Sequence, residues 1–191
     1  MLLGRPPKID PKSAAAHTRR GIVKASLKQY EAAIVDFGRA IRLEPQYAAA
    51  YYNRGTAKAC LEQYRSAIGD YDQAIRLAPK NAAAYYNRAV AKAELEQYRF
   101  AIEDYDEAIR LAPKDAAAYN NRGAAKAILK QYEAAIEDYD QVIRLAPKDA
   151  DAYSNRGAAK AILKQYEAAI EDYDQVIRLA PKDADAYSNR G

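Results

Sequence analysis

The sequence is poor in the residues that most chemistry needs. Among 191 residues there is one cysteine, one histidine and no tryptophan. A lone thiol, Cys60, excludes an internal disulfide framework and a cysteine-rich zinc site. A lone imidazole, His17, excludes a multi-histidine metal centre. No apolar run approaches the roughly 20 residues of a membrane-spanning helix. Met1-Leu2-Leu3-Gly4 is too short for the apolar stretch of a signal peptide. A strong charge of one sign is missing too: 30 Lys and Arg stand against 26 Asp and Glu, and the net +4 points to neither nucleic acid nor a membrane surface as partner. Phosphate loops and dinucleotide fingerprints are absent. These absences predict a soluble, cytoplasmic, non-enzymatic chain with no cofactor and no metal. Tyrosine, by contrast, is abundant, with 17 residues against two phenylalanines.

The tyrosines follow a rhythm. Prolines fall at Pro11, Pro45, Pro79, Pro113, Pro147 and Pro181, each 34 residues after the last. Tyr51, Tyr85, Tyr119, Tyr153 and Tyr187 keep the same step, as do Tyr30, Tyr64, Tyr98, Tyr132 and Tyr166. Residues 123–157 are identical to residues 157–191, the mark of a recent duplication or an engineered array. With proline as the thirty-second place, five units span 14–47, 48–81, 82–115, 116–149 and 150–183. Residues 1–13 form a basic, proline-rich lead, and residues 184–191 begin a sixth unit.

Each unit reads as two helices. The first covers about places 1–14, rich in Ala, Lys and Leu. Ser13, Asn81, Asp115, Asp149 and Asp183 precede it as capping residues, and Tyr47 breaks that pattern. The second runs from about place 17 to place 30 and ends before Ala-Pro or Glu-Pro, because the residue before proline is pushed out of helical geometry. The turn between the helices lacks glycine, so a left-handed residue there carries strain. In the fourth unit Tyr132, Ala135, Ile136, Tyr139, Val142 and Ile143 form one apolar stripe, which a single hairpin cannot bury but stacked neighbours can.

The period, the glycines Gly21, Gly55, Gly123 and Gly157, the alanines Ala33, Ala67, Ala101, Ala135 and Ala169, the aromatics Phe37, Tyr71, Tyr105, Tyr139 and Tyr173, and the prolines resemble the tetratricopeptide repeat. The resemblance covers residues 14–191. It implies an all-α fold, a right-handed superhelical solenoid of helix-turn-helix hairpins whose first helices line a concave groove. Departures occur at places 4, 7, 8 and 11. Place 4 is Tyr, or His17 in the first unit, and place 8 is Ala89 in the third. Arginine fills place 7 (Arg20, Arg54, Arg88, Arg122, Arg156) and lysine fills place 11 (Lys24, Lys58, Lys92, Lys126, Lys160). Both fall on the face that packs against the second helix, where a bare cation would cost several kcal/mol. The expected acceptors are Asp36, Asp70, Asp104, Asp138 and Asp172, at the edge of the apolar stripe, so repeated Arg–Asp pairs assisted by Lys are expected within or between hairpins. A basic phosphate-binding track is the alternative for the same cations.

On the opposite face, place 6 is Asn53, Asn87, Asn121, Asn155 and Asn189, with Arg19 in the first unit. First helices about 8–10 Å apart would meet an extended peptide, rising about 3.3 Å per residue, every third residue. An amide side chain can pair a peptide group without reading its side chain. The row is similar to the asparagine ladder of the O-GlcNAc transferase family. It can equally be groove-wall solvation copied with the duplicated units. Tyr52 and Tyr86 flank the row at place 5 and are expected to be exposed in the groove, giving way to Asn120, Ser154 and Ser188 further along. The Lys and Asn clamp by which chaperone-adaptor members hold a terminal carboxylate is absent, since place 9 is Ile22, Thr56, Val90, Ala124 and Ala158. The remaining tyrosines, at places 4, 17 and 24, are expected to be core.

The reading is therefore a protein-interaction scaffold that takes a peptide or a partner's helix. The rival is head-to-tail self-assembly into a homo-oligomer, through a last complete hairpin that carries no polar capping helix. Glu-Asp pairs such as Glu137-Asp138 read as solvated helix faces rather than acid–base dyads. RNA binding is disfavoured, because the basic places face away from the groove.

Overall fold

Alanine-rich and straight-chain segments with caps ahead of them make the helices. The computed structural model describes residues 13–179; the lead before Ser13 and the sixth-unit start at 184–191 lie outside the described residues. Ten helices follow in order within the described residues: α1 Ala14–Ser26, α2 Tyr30–Leu43, α3 Ala48–Ala59, α4 Tyr64–Leu77, α5 Ala82–Ala93, α6 Tyr98–Leu111, α7 Ala116–Ile128, α8 Tyr132–Leu145, α9 Ala150–Ile162 and α10 Tyr166–Leu179. Odd-numbered helices are the first helices of the repeats, even-numbered helices the second.

The caps act where side-chain oxygens are present. Ser13, Asn81, Asp115 and Asp149 accept hydrogen bonds from Ala16, Ala84, Ala117 and Ala152 amides, and Tyr47 offers none to α3. Between first and second helix the chain turns through a left-handed residue at place 15: Lys28, Glu62, Glu96, Lys130 and Lys164, with φ of 58–61°. None is glycine, so each turn holds a Cβ against the following carbonyl.

The chain forms two compact units, Met1–Leu95 and Glu96–Gly191. In the first, α1 pairs with α2 and α3 with α4, α3 also packs on α2, and α5 packs on α4 and α3. In the second, α7 pairs with α8 and α9 with α10, α7 packs on α6, and α9 packs on α8 and α7. The core is built mainly from alanine with a buried aromatic at place 24 of each second helix, joined by Ile75, Ile109, Val142 and Val176. Ala33, Phe37 and Ala57 form one cluster, and Ala67, Tyr71 and Ala91 the next. Alanine lets helices approach closely, and the ring fills the remaining space.

That close approach explains the glycine of place 8. A Cβ built on Gly55 would lie 2.9 Å from Tyr71 Cε1, and one on Gly123 2.9 Å from Tyr139 Cε1. The tyrosines divide by place. Tyr71, Tyr105, Tyr139 and Tyr173 are buried, at 1–5 % exposure. Among the described residues, those at places 4 and 17 are half-buried rather than core, except Tyr166, which is exposed. Places 4 and 17 sit at the margins of the helix stripe, where one ring face packs and the hydroxyl end reaches water.

Candidate functional site

Two side-chain systems run along the first helices. The first is ionic. Arg54 donates to Asp70 through Nε at 2.9 Å and Nη2 at 2.6 Å, and Lys58 Nζ lies 2.8 Å from the same carboxylate. Arg122 and Lys126 hold Asp138 in the same way, and Arg156 and Lys160 hold Asp172, with arginine contacts of 2.5–3.0 Å and lysine contacts of 2.8 Å. In the first unit Arg20 and Lys24 hold Asp36. The carboxylates are not at the edge of the stripe, as the helical wheel places them, but inside. Asp36 is 0 % exposed and Asp138 2 %. They tolerate burial because three donors from the facing helix reach each one.

Arg88 and Asp104, the corresponding residues of the third unit, fall in different compact units; Arg88 is engaged by Asp72 at 2.6 Å. That contact is one of a second set absent from the sequence reading. Arg122 Nη1 donates to Asp106 and Arg156 Nη1 to Asp140, each at 2.5 Å. One guanidinium thus holds the aspartate of its own hairpin and one from the hairpin before. The signal was present in the sequence, since Asp72, Asp106, Asp140 and Asp174 recur at place 25. Each of these arginines also lies over the ring of the tyrosine one turn earlier, 5.5 Å from the centroid for Arg122 over Tyr119.

The electrostatics follow from this. Burial alone pushes the Asp36 carboxyl up, but the hydrogen bonds and charges of Arg20 and Lys24 outweigh it and hold its pKa at about 2. Burial works to lower the pKa of Arg122, and the bonds from Asp138 and Asp106 reverse that and raise it. The Tyr71 hydroxyl, pushed up to about 12 by burial, stays neutral.

The second system is the amide row. Asn53 donates to the Ala49 carbonyl at 2.7 Å, one turn back on α3. Asn87 on α5 donates to the Tyr52 hydroxyl on α3 at 3.0 Å. Asn155 on α9 donates to Asn120 on α7 at 3.3 Å. Places 5 and 6 therefore meet across neighbouring first helices and make a polar strip in each compact unit. Asn121 stands at the same place on α7, half-buried like the others. Tyr52 and Tyr86, expected to be exposed, are half-buried. The Tyr52 ring lies against Tyr71, centroids 6.2 Å apart and tilted by 52°, because the side chain leans into the seam between helices instead of standing out from it. Cys60 is exposed at the end of α3. No helix among the described residues is long and apolar enough to cross a membrane.

Comparison with known proteins places these features. Sequence profiles described as tetratricopeptide repeat match residues 48–81, 82–115, 104–137 and 128–190, and one described as TPR repeat matches 23–59. No curated protein matches the chain. Among solved structures, that described as YrrB, a TPR protein with an unusual peptide-binding site, is 24 % identical. The match covers 94 % of this chain and 92 % of that one with a TM-score of 0.84. MamA 41-end from Desulfovibrio magneticus RS-1 is 23 % identical, over 92 % of this chain and 98 % of its own, with a TM-score of 0.84. A tetratricopeptide repeat protein from Parabacteroides merdae ATCC 43184 is 22 % identical over 94 % and 71 %, with a TM-score of 0.83. At such identities the likeness is one of fold.

Proposed function

The chain belongs to the tetratricopeptide repeat family, and on that premise we propose that it is a non-catalytic scaffold holding an extended peptide of a partner protein along its asparagine row. The observation that carries this reading is the bridge from Asn87 to Tyr52, repeated by Asn155 and Asn120. Within each compact unit, the amides and hydroxyl at places 5 and 6 of neighbouring first helices supply donors and acceptors able to pair a peptide backbone. Each bridge uses one amide hydrogen, and a bound peptide group can exchange for it at little net cost because the bridge itself is worth only about 1 kcal/mol. The peptide-binding site named for YrrB supports the same kind of ligand. Every place-7 arginine from Arg20 to Arg156 is engaged by at least one aspartate, which favours a structural role for this row over a phosphate track.

The test is capture from a displayed random-peptide library, followed by calorimetry on the selected peptides. Asn87→Ala combined with Asn121→Ala is expected to weaken binding about tenfold or more, the equivalent of one or two hydrogen bonds. Unaltered affinity in the double variant would overturn the role of the row.

A further inference from the structure

One place in the ionic system departs from its own pattern. Place 25 carries Asp72, Asp106 and Asp140, which receive Arg88, Arg122 and Arg156 from the next first helix at 2.5–2.6 Å. In the first unit that place is Gly38. A Cβ at Gly38 would lie 3.8 Å from Arg42 Nη1 and 4.0 Å from Arg54 Nη1. Two guanidinium groups therefore converge on the spot where the other units hold a carboxylate.

Neither group is satisfied there. Arg54 uses Nε and Nη2 on Asp70, which leaves Nη1, the nitrogen that its counterparts Arg88, Arg122 and Arg156 give to aspartate. The Arg42 side chain, like those of Arg144 and Arg178 at the same place, has no hydrogen-bond or ion-pair partner among the described residues, whereas Arg76 and Arg110 close on Gln73 and Glu107 one turn back. What sets Arg42 apart is its approach to Gly38 beside Arg54. In place of Gln73 and Glu107 the first unit has Arg39, a like charge one turn from Arg42, and Arg39 itself faces Asp36 at 3.8 Å. Arg39 and Arg42 also line a surface cavity of about 220 Å³ with His17 and Leu43. Asp36 is already held by Arg20 and Lys24 at 2.5 and 2.8 Å, with Arg39 and His17 at 3.8 Å.

We propose that Gly38, Arg42 and Arg54 form a seat for a carboxylate supplied by another molecule, an acidic side chain of a partner protein. The incoming oxygen takes the position that Asp72, Asp106 and Asp140 fill from within. Arg54 Nη1 and Arg42 Nη1 donate to it, and the missing Cβ makes the room. Carboxylate is the chemistry indicated because the same arginine geometry accepts carboxylate at three other junctions. The seat is shared by Gly38 and Arg42 of α2 and Arg54 of α3, uses no asparagine of the row, and stands whether or not that row binds a peptide.

The full chain, with its arginine side-chain Nε–Hε groups followed by NMR, is titrated at 150 mM salt with a short blocked peptide carrying two glutamates. Its glutamine counterpart and inorganic phosphate are titrated alongside. The glutamate peptide is expected to shift Arg42 and Arg54 saturably, with the glutamine peptide about tenfold weaker or more. Gly38→Asp is expected to abolish these shifts while raising the melting temperature, because it fills the seat from inside; Arg42→Gln is expected to weaken them, and Asn87→Ala to leave them unchanged. Unchanged binding in Gly38→Asp, or no saturation in the parent chain, would overturn the proposal. Saturation by phosphate at lower concentration than by the peptide would overturn the choice of carboxylate.

Discussion

The guanidinium of Arg122 and the carboxylate of Asp138 meet through two parallel hydrogen bonds, Nε to Oδ2 at 3.0 Å and Nη2 to Oδ1 at 2.5 Å. Lysine has a single nitrogen and cannot make both. Arg122→Ala strands the buried Asp138 charge and is expected to cost roughly 3–5 kcal/mol of unfolding free energy. Arg122→Lys should fall between that variant and the parent. Urea denaturation followed by circular dichroism measures both; a loss under about 1 kcal/mol for the alanine variant would make the pair no better than a surface ion pair.

At the left-handed turn, Lys130 has φ of 61°. Glycine reaches that conformation without the Cβ clash, though it also loosens the unfolded chain. Lys130→Gly is expected to gain about 0.5–1 kcal/mol, and thermal melts would show a higher midpoint. A lower midpoint would mean that the turn is not strained.

Gly55→Ala is expected to act in the opposite direction. The new Cβ would lie 2.9 Å from a Tyr71 ring that is 1 % exposed and has little space to move. Overpacking of this kind costs about 1–3 kcal/mol, partly offset by about 1 kcal/mol of helix propensity. Denaturant midpoints for this variant beside Gly69→Ala give the contrast, because nothing lies within 4 Å of a Cβ at Gly69.

Acid should weaken the first hairpin in a defined window. The Asp36 pKa is about 2 in the folded chain against 3.8 as its ordinary value. The folded value is depressed, so the stabilisation is complete above the ordinary value and is lost as pH falls from about 4 towards 2. Its size is roughly 2 kcal/mol. Unfolding free energies of the parent and Asp36→Asn, measured from pH 6 to pH 2, should differ by a constant amount near neutrality and converge at the acid end.

Alkali should act through the buried rings. Tyr71 and Tyr139 are pushed up to about 12, by burial first, against an ordinary value of 10. The unfolded chain therefore loses these protons more readily, and stability falls as pH rises beyond 10. Phenolate absorbance should show a class of tyrosines that resists ionisation until the protein unfolds. A single step near pH 10 for all 17 would contradict their burial.

Much of this was legible from the period alone. Helix α8 runs from Tyr132 to Leu145, the span that Ala-Pro and the apolar stripe indicate. Depth was harder to read. A helical wheel sets Asp138 at the margin of its own helix, yet it is buried because Arg122 and Lys126 approach from sixteen and twelve residues away, and one helix's periodicity says nothing about its partner's reach. Tyr52 was misjudged for a related reason: its place faces neighbouring first helices, and whether a ring stands free or leans on Tyr71 depends on their separation. The Asp106–Arg122 junction was hidden because register between hairpins is set by packing. Its sequence trace is the aspartate that recurs at place 25, interrupted by Gly38.

That interruption also has a mechanical consequence. The third first helix is latched to the second hairpin by Arg88 on Asp72, while the second hairpin has no such latch on the first, where Gly38 stands. Fraying should start at this unfastened seam, with α1 and α2 peeling away while α3 to α5 remain closed, so amide protons of the first hairpin would exchange earliest within that half of the chain.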